Sequence, residues 1–341
     1  MTHKHGWSSM MLLSGTFAAM MSMTACNNET FVDPVSVEVP SEVFTPDRII
    51  EVKFSEGKAT VIVPEERDDV TYTTNGAYVT ITNTCDTKEL SFILSGESTD
   101  GGLIYNGTYK TTFTLNGLSL TSTKGAALDI ECGKRIHILL SEGTENYLED
   151  SYDGQQKGCL YCRGHIKLAG NGSLTVKGNT KNGIHVKEYL MLGKSLGEIN
   201  INDVVGHAIK VGEEFEMRGG TLNLTASNMD TKALNCDSTI TISGGTINAQ
   251  ANGDGSRGIQ ANYDITINED YGSTLITVAA TGGKCDDESE HRCMGIKTDL
   301  AFKMSAGYVT VTTVKSSARG IRCLTSEVTG GTCNAVIRTG E

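Results

Sequence analysis

Eight polar side chains recur along this chain at a nearly constant interval: Asp129, Tyr161, His185, Lys210, Asn235, Gln260, Lys297 and Arg322. Each is the variable residue of one four-residue pattern: a small residue, then Ile or Leu, then the variable residue, then a small or β-branched one. Brought into one row, these groups suit an extended, hydroxyl-rich chain such as a polysaccharide. Lys210, Lys297 and Arg322 can pair with carboxylates, Asn235 and Gln260 can bond hydroxyls, and Tyr161 and His185 add rings. The binding set proposed from sequence is therefore Tyr161, His185, Lys210, Asn235, Gln260, Lys297 and Arg322. A plainer reading competes, because any solvated strand face must also be polar.

Other residues suggest other chemistry. The loops ahead of the repeated pattern carry oxygen ligands at equivalent places: Asn179 and Asn182, Asn202 and Asp203, Asn228 and Asp230, Asn252 and Asp254. Carboxylates and amide carbonyls gathered from neighbouring repeats could bind calcium, with Asp203, Asp230 and Asp254 as its acids. Each loop offers at most one acid, and Asx turns account for the same residues. The acidic stretches at 141–157 and 284–292 read as solvated loops. His137, His165, His185 and His207 lack metal spacing. No nucleophile–base signature or phosphate-binding glycine loop appears. A second row, Asn200, Asn223, Asn248 and Asn334, reads as a structural amide ladder.

The chain has ten cysteines. Cys162, Cys236 and Cys323 share one inward position and read as small buried hydrophobes. Cys159 and Cys162 are spaced like a redox pair, but on a strand residues three apart point to opposite faces. Cys285 and Cys293 bracket residues 286–292, and a disulfide closing that loop is expected.

What positions these residues is the repeat itself. Its central residues are Leu128, Leu160, Ile184, Ile209, Leu234, Ile259, Ile296 and Ile321, separated by 32, 24, 25, 25, 25, 37 and 25 residues. A fixed period in this range marks a stacked-repeat protein. Two more alternating runs follow within each period, exemplified by Ile240-Thr241-Ile242 and Ile247-Asn248-Ala249. Glycine corners separate them, as at Gly170, Gly219-Gly220, Gly244-Gly245, Gly272, Gly307 and Gly330-Gly331. Three short strands per repeat and no helical segment predict an all-β fold. It is a right-handed, single-stranded parallel β-helix of about 25 residues per coil. The runs Tyr78–Ile81, Leu90–Leu94 and Phe113–Leu120 read as less regular first coils. Ile49–Phe54 and Ala59–Val63 read as an N-terminal β cap over the open end.

Residues 1–25 read as a lipoprotein signal peptide. They have a basic start at Lys4, an apolar stretch from Met10 to Met23, and then Met23-Thr24-Ala25-Cys26, which predicts lipid attachment at Cys26. Residues 26–47 read as a flexible tether and 48–341 as the β-helix, with 48–82 forming the cap and first irregular coils. The expected location is the bacterial cell envelope, with contact to the membrane only through the N-terminal lipid. Removing residues 1–25 takes away one lysine and no acid, so a formal charge of −12 becomes −13. That excess disfavours nucleic acid and anionic membrane surfaces. The single tryptophan, Trp7, falls in the signal, so a tryptophan platform for sugars is excluded.

The run Leu140-Ser141-Glu142-Gly143-Thr144-Glu145-Asn146-Tyr147-Leu148 resembles the "L-x-E-G-T-x-N-x-L" stretch of bacterial carbohydrate-binding domain proteins with a polysaccharide-lyase-like β-helix. Gly170-Asn171-Gly172-Ser173-Leu174-Thr175-Val176, Asn182-Gly183-Ile184 and Gly244-Gly245-Thr246-Ile247 are similar to that family's repeated segments. The resemblance spans about residues 58–335. It implies a parallel β-helix that binds plant-type or acidic polysaccharide, with calcium in loops between coils. The chain departs from the family where calcium matters. The recurrent "D-D-G-I" stands here as Lys181-Asn182-Gly183-Ile184, Gly206-His207-Ala208-Ile209, Thr231-Lys232-Ala233-Leu234 and Ser256-Arg257-Gly258-Ile259. The leading expectation is non-catalytic carbohydrate binding by a monomeric envelope lipoprotein. The alternatives are a polysaccharide lyase, with Lys210 or Lys297 as base, and a structural adhesin or protein-binding solenoid.

Overall fold

A computed structural model describes residues 49–55, 57–64 and 67–340. The predicted signal peptide, Cys26 and the tether lie outside the described residues. Among the described residues there is no helix. Parallel strands stack into a solenoid of about 10 turns, roughly 25 residues per turn.

The three strand columns match the three sequence runs. The first forms a twelve-stranded sheet. It contains Leu128–Glu131, Gly158–Cys162, Asn182–Val186, Ile209–Val211, Lys232–Cys236, Arg257–Ala261, Met294–Thr298 and Arg319–Cys323. Its register sets Leu160 beside Ile184, Ile184 beside Ile209, Ile209 beside Leu234 and Leu234 beside Ile259. The second and third columns belong to one twenty-stranded sheet. They are joined because Thr111–Thr121 is long enough to pair with both Ile136–Leu140 and Glu145–Glu149.

Alternation explains the core. Every second residue of a strand faces inward, and a parallel register puts like on like. Ile184, Ile209, Leu234 and Ile259 form one buried stack, and Phe215, Ile240, Ile265 and Phe302 form another. Burying each such side chain contributes about 1.5–3 kcal/mol. Gly170, Gly220, Gly245, Gly272, Gly307 and Gly331 all have positive φ at the corner between the second and third strands. At Gly245, with φ 95°, an added Cβ would also meet Gly220 O at 2.7 Å.

The N-terminal strands expected from sequence are present, and each end carries a further element. Ile49–Ser55 and Lys58–Ile62 form an antiparallel hairpin whose first strand runs parallel to Leu90–Ser98. A second hairpin, Val70–Asn75 with Ala77–Asn83, caps the other sheet. Val70–Asn75 shows no inward apolar alternation, so periodicity gave no sign of it. At the far end a ninth repeat, Ile337–Thr339, pairs with Arg319–Cys323, setting Ile337 beside Ile321 only 16 residues away.

The cysteine expectations need two corrections. Cys285 and Cys293 are both free thiols rather than a disulfide. Their sulfurs bond carbonyls in different parts of the preceding turn, Cys285 that of Asp254 and Cys293 that of Ala251. The loop is closed instead by the antiparallel bridge between Lys284 and Arg292. Cys159 is fully buried rather than outward, in the small-residue place before Leu160. Cys162, Cys236 and Cys323 are buried as expected.

Candidate functional site

The register of the twelve-stranded sheet assembles the whole polar row. Asp129 lies beside Tyr161, Tyr161 beside His185, His185 beside Lys210 and Lys210 beside Asn235. Asn235 lies beside Gln260, Gln260 beside Lys297 and Lys297 beside Arg322. All seven residues proposed from sequence therefore stand on one row. The row continues at both ends, to Ile104 beside Asp129 and to Arg338 beside Arg322.

The row is more sheltered than a plain solvated face: Tyr161 is 8% exposed and Asn235 5%. Tyr161 and His185 pack edge to face, ring centroids 5.6 Å apart, with the Lys157 ammonium 5.7 Å from the Tyr161 ring. Burial, with Lys210, Lys157 and Lys181 nearby, pushes the His185 imidazole down to about 4, so it is neutral at pH 7. Lys210 is ion-paired with Asp237, and Lys297 with Asp299 at 2.8 Å.

The centre of the row carries an unmet demand. Asn235 Oδ1 and Gln260 Oε1, on consecutive rungs, are buried without a hydrogen-bond partner among the described residues. Asp129 Oδ1 is in the same state at the start of the row. Burial, reinforced by Glu131, pushes the Asp129 carboxyl up to about 6. Buried acceptors without partners cost free energy, and three of them stand on this one row.

Each end of the row opens into a cavity. Near the N-terminal end a cleft of about 380 Å³ is lined by Tyr78, Ile104, Lys124, Asp129, Gln155 and Gln156, among others. At the C-terminal end a pocket of about 200 Å³ is lined by Arg292, Met294, Arg319, Arg322, Arg338 and Thr339. Sequence reasoning missed Arg338 because its repeat is short. It missed the N-terminal cleft because irregular first coils bring those residues together. A shorter repeat ending in Ile337-Arg338 was the one available signal.

The acids proposed for calcium are not gathered into a cage. Asp203 lies 3.4 Å from the Lys177 ammonium. Asp230 contacts Arg257 Nη1 at 2.5 Å, His291 Nδ1 at 3.0 Å and the Lys232 ammonium at 3.4 Å. Asp254 accepts from Lys315 Nζ at 2.9 Å and from the Gly283 amide at 2.5 Å. Among the described residues no three of His, Cys, Asp or Glu cluster as metal ligands. Calcium asks for six to eight oxygens, and these carboxylates are already committed to cations, so the donor set does not fit it. The amide ladder is present: Asn223 Nδ2 donates to Asn200 Oδ1 and Asn248 Nδ2 to Asn223 Oδ1, both at 2.8 Å. Asn334 shares the column but is separated from Asn248 by Thr277 and Thr310.

Residues 75–340 match the model of a family described as carbohydrate-binding domain-containing protein. The chain belongs to this carbohydrate-binding domain-containing family. A curated relative from Acetivibrio thermocellus carries the same description and is 27% identical over 184 residues, 51% of this chain and 59% of that protein. The chain thus spans 59% of that relative's length. A solved structure described as a polysaccharide lyase-like protein from C. thermocellum, in a gadolinium derivative, is 19% identical with a TM-score of 0.40. That alignment covers 86% of this chain and 97% of the other. The family model takes in the whole polar row, from Asp129 to Arg338.

Proposed function

We propose that the polar row of the twelve-stranded sheet binds polysaccharide without catalysis, in an envelope protein anchored through Cys26. The observation that carries this reading is the unbroken register from Tyr161 to Arg322, which sets seven polar side chains on adjacent rungs of one sheet face. Successive parallel strands lie about 4.8 Å apart. A polymer laid across them therefore meets an acceptor, a cation or a ring at every rung. Hydroxyl groups both donate and accept, so they suit a row that mixes amides with the ammonium and guanidinium groups of Lys210, Lys297 and Arg322. Family membership supports carbohydrate as the ligand class.

The lyase reading is weaker on the same geometry. β-Elimination needs a base at the sugar C5 proton and a cation to acidify it. Lys210 and Lys297 are each held by an aspartate, and the candidate acids are held by lysine, arginine or histidine.

Affinity electrophoresis of the whole mature chain through gels containing neutral and acidic polysaccharides tests the proposal. Retardation by at least one polymer is expected; free migration in all of them overturns it. Appearance of unsaturated, ultraviolet-absorbing chain ends would replace it with the lyase reading. Mass spectrometry of the N-terminus tests lipidation, and an unmodified Cys26 would remove the anchor.

A further inference from the structure

The pocket at the C-terminal end of the row is lined by Arg292, Arg319, Arg322 and Arg338, with Met294 and Thr339. Among the described residues no acidic side chain lines it. In a chain of formal charge −12 this is a local reversal of sign. Resting on the proposed carbohydrate function, we infer that this pocket is a distinct subsite for one sulfate ester carried by the glycan.

The fold brings the four arginines together from different places. Arg292 lies at the foot of the loop 284–292, paired across it with Lys284. Arg319 stands beside Met294 on the neighbouring strand, and Arg338 stands beside Arg322. Arg319 Nη1 donates to Ala318 O at 3.1 Å and to Ser316 O and Ser317 O, both at 3.4 Å. These carbonyls orient the guanidinium. Arg292, Arg319 and Arg322 are half-buried and Arg338 is exposed, so all four keep surface that a ligand can reach.

The donors and the space select the ligand. A guanidinium stays protonated throughout the working pH range, and its planar fork of N–H groups matches an oxyanion. Four such cations in one place repel one another, and an anion among them relieves the repulsion. The pocket holds about 200 Å³, less than the roughly 300–1,000 Å³ that encloses a whole ligand. It therefore takes one pendant group rather than a sugar ring. Four forks outnumber the two oxygens of a carboxylate, whereas a sulfate ester presents three terminal oxygens. Arg322 belongs to the polar row itself, so a polymer lying along the row carries such a group into the pocket at that rung.

The test is a calorimetric titration of the whole mature chain with chondroitin sulfate, unsulfated chondroitin and polygalacturonate at about 0.15 M ionic strength. Both chondroitin forms carry uronate carboxylates, so the pair isolates the sulfate. The wild type is compared with Arg338→Gln, Arg319→Gln and Lys58→Gln. Lys58 is exposed on the hairpin at the opposite end of the solenoid, so its variant controls for the loss of one charge. The sulfated polymer is expected to bind the wild type at least about tenfold tighter than the unsulfated one. Each arginine variant is expected to lose roughly tenfold for the sulfated polymer alone, with Lys58→Gln unchanged and urea midpoints equal. Equal affinity for the two chondroitin forms, or arginine variants that bind like Lys58→Gln, overturns the inference. An equal loss for polygalacturonate in the arginine variants overturns the choice of sulfate over carboxylate. If neutral polysaccharide gels retard the chain and sulfation makes no difference, the subsite falls while the row stands. If only the sulfated polymer binds, and through the arginines, the subsite stands while the row falls.

Discussion

Asn235 and Gln260 lie beside each other on consecutive rungs, and each keeps its amide oxygen buried without a hydrogen-bond partner among the described residues. Neither oxygen is used by the fold. Asn235→Ala and Gln260→Ala are therefore expected to separate binding from stability. Each variant should weaken polysaccharide binding about five- to tenfold, the equivalent of roughly 1–1.4 kcal/mol. Unfolding free energy should not fall by more than about 1 kcal/mol, because each truncation also removes a buried acceptor that has no partner. Affinity electrophoresis beside urea denaturation checks both, and a loss of stability without a loss of retardation would make the row structural.

Asp129 gives a test whose sign is opposite to that of an ion-paired carboxylate. Burial and Glu131 raise its folded-state pKa from 3.8 to about 6. Its charge is therefore a penalty on folding, absent below about pH 4, growing as pH rises and complete above about 6. Asp129→Asn removes that penalty, so at pH 7.5 the variant should be more stable by about 1 kcal/mol. Near pH 4 the two proteins should converge. Denaturant midpoints at both pH values measure this. A variant less stable than wild type at pH 7.5 would show that the carboxylate has a structural partner.

Asp230 behaves in the opposite way. Burial opposes its ionisation, but the Arg257 hydrogen bond, with Lys232 and His291, outweighs burial and holds the carboxyl below 3.8. Arg257 is 4% exposed, so removing the carboxylate strands a buried charge. Asp230 has φ 54°, a left-handed conformation that asparagine also tolerates. Asp230→Asn thus isolates the charge from the backbone, and at pH 7 it should cost about 2 kcal/mol. A depressed folded pKa means this stability is present above about pH 3.8 and lost as pH falls further. The gap between wild type and variant should therefore close in acid, as thermal unfolding across pH would show.

Calcium should do little to the folded chain. Asp203, Asp230 and Asp254 each already face a cation. Millimolar calcium, or EDTA in its place, should shift Tm by less than about 1 °C. A stabilisation of several degrees would require these ion pairs to open around a metal.

The repeat was legible because each coil solves the same packing problem. Ile184, Ile209, Leu234 and Ile259 are all aliphatic since each must fill the same buried place above its neighbour. The residue after each of them faces out, and the polar row follows from alternation alone. The shortened last coil at Ile337 and the hairpin at Val70–Asn75 escaped because they break the period. Cys285 and Cys293 looked like a bridge from their spacing, yet their sulfurs are turned to different carbonyls. The candidate calcium acids were readable as residues but their partners were not. Arg257 and His291, which meet at Asp230, are 27 and 61 residues along the chain from it.

The amino-acid sequence by itself determined the solenoid, its coil length, the inward stacks and the order of the outward row, because these depend only on a local alternation repeated at a fixed interval. Tertiary structure alone decided which charges are already paired, which acceptors are left unmet, and that Tyr78, Lys124, Asp129 and Gln156 share one cleft. Those outcomes depend on side-chain contacts between loops and irregular coils whose separation along the chain follows no period.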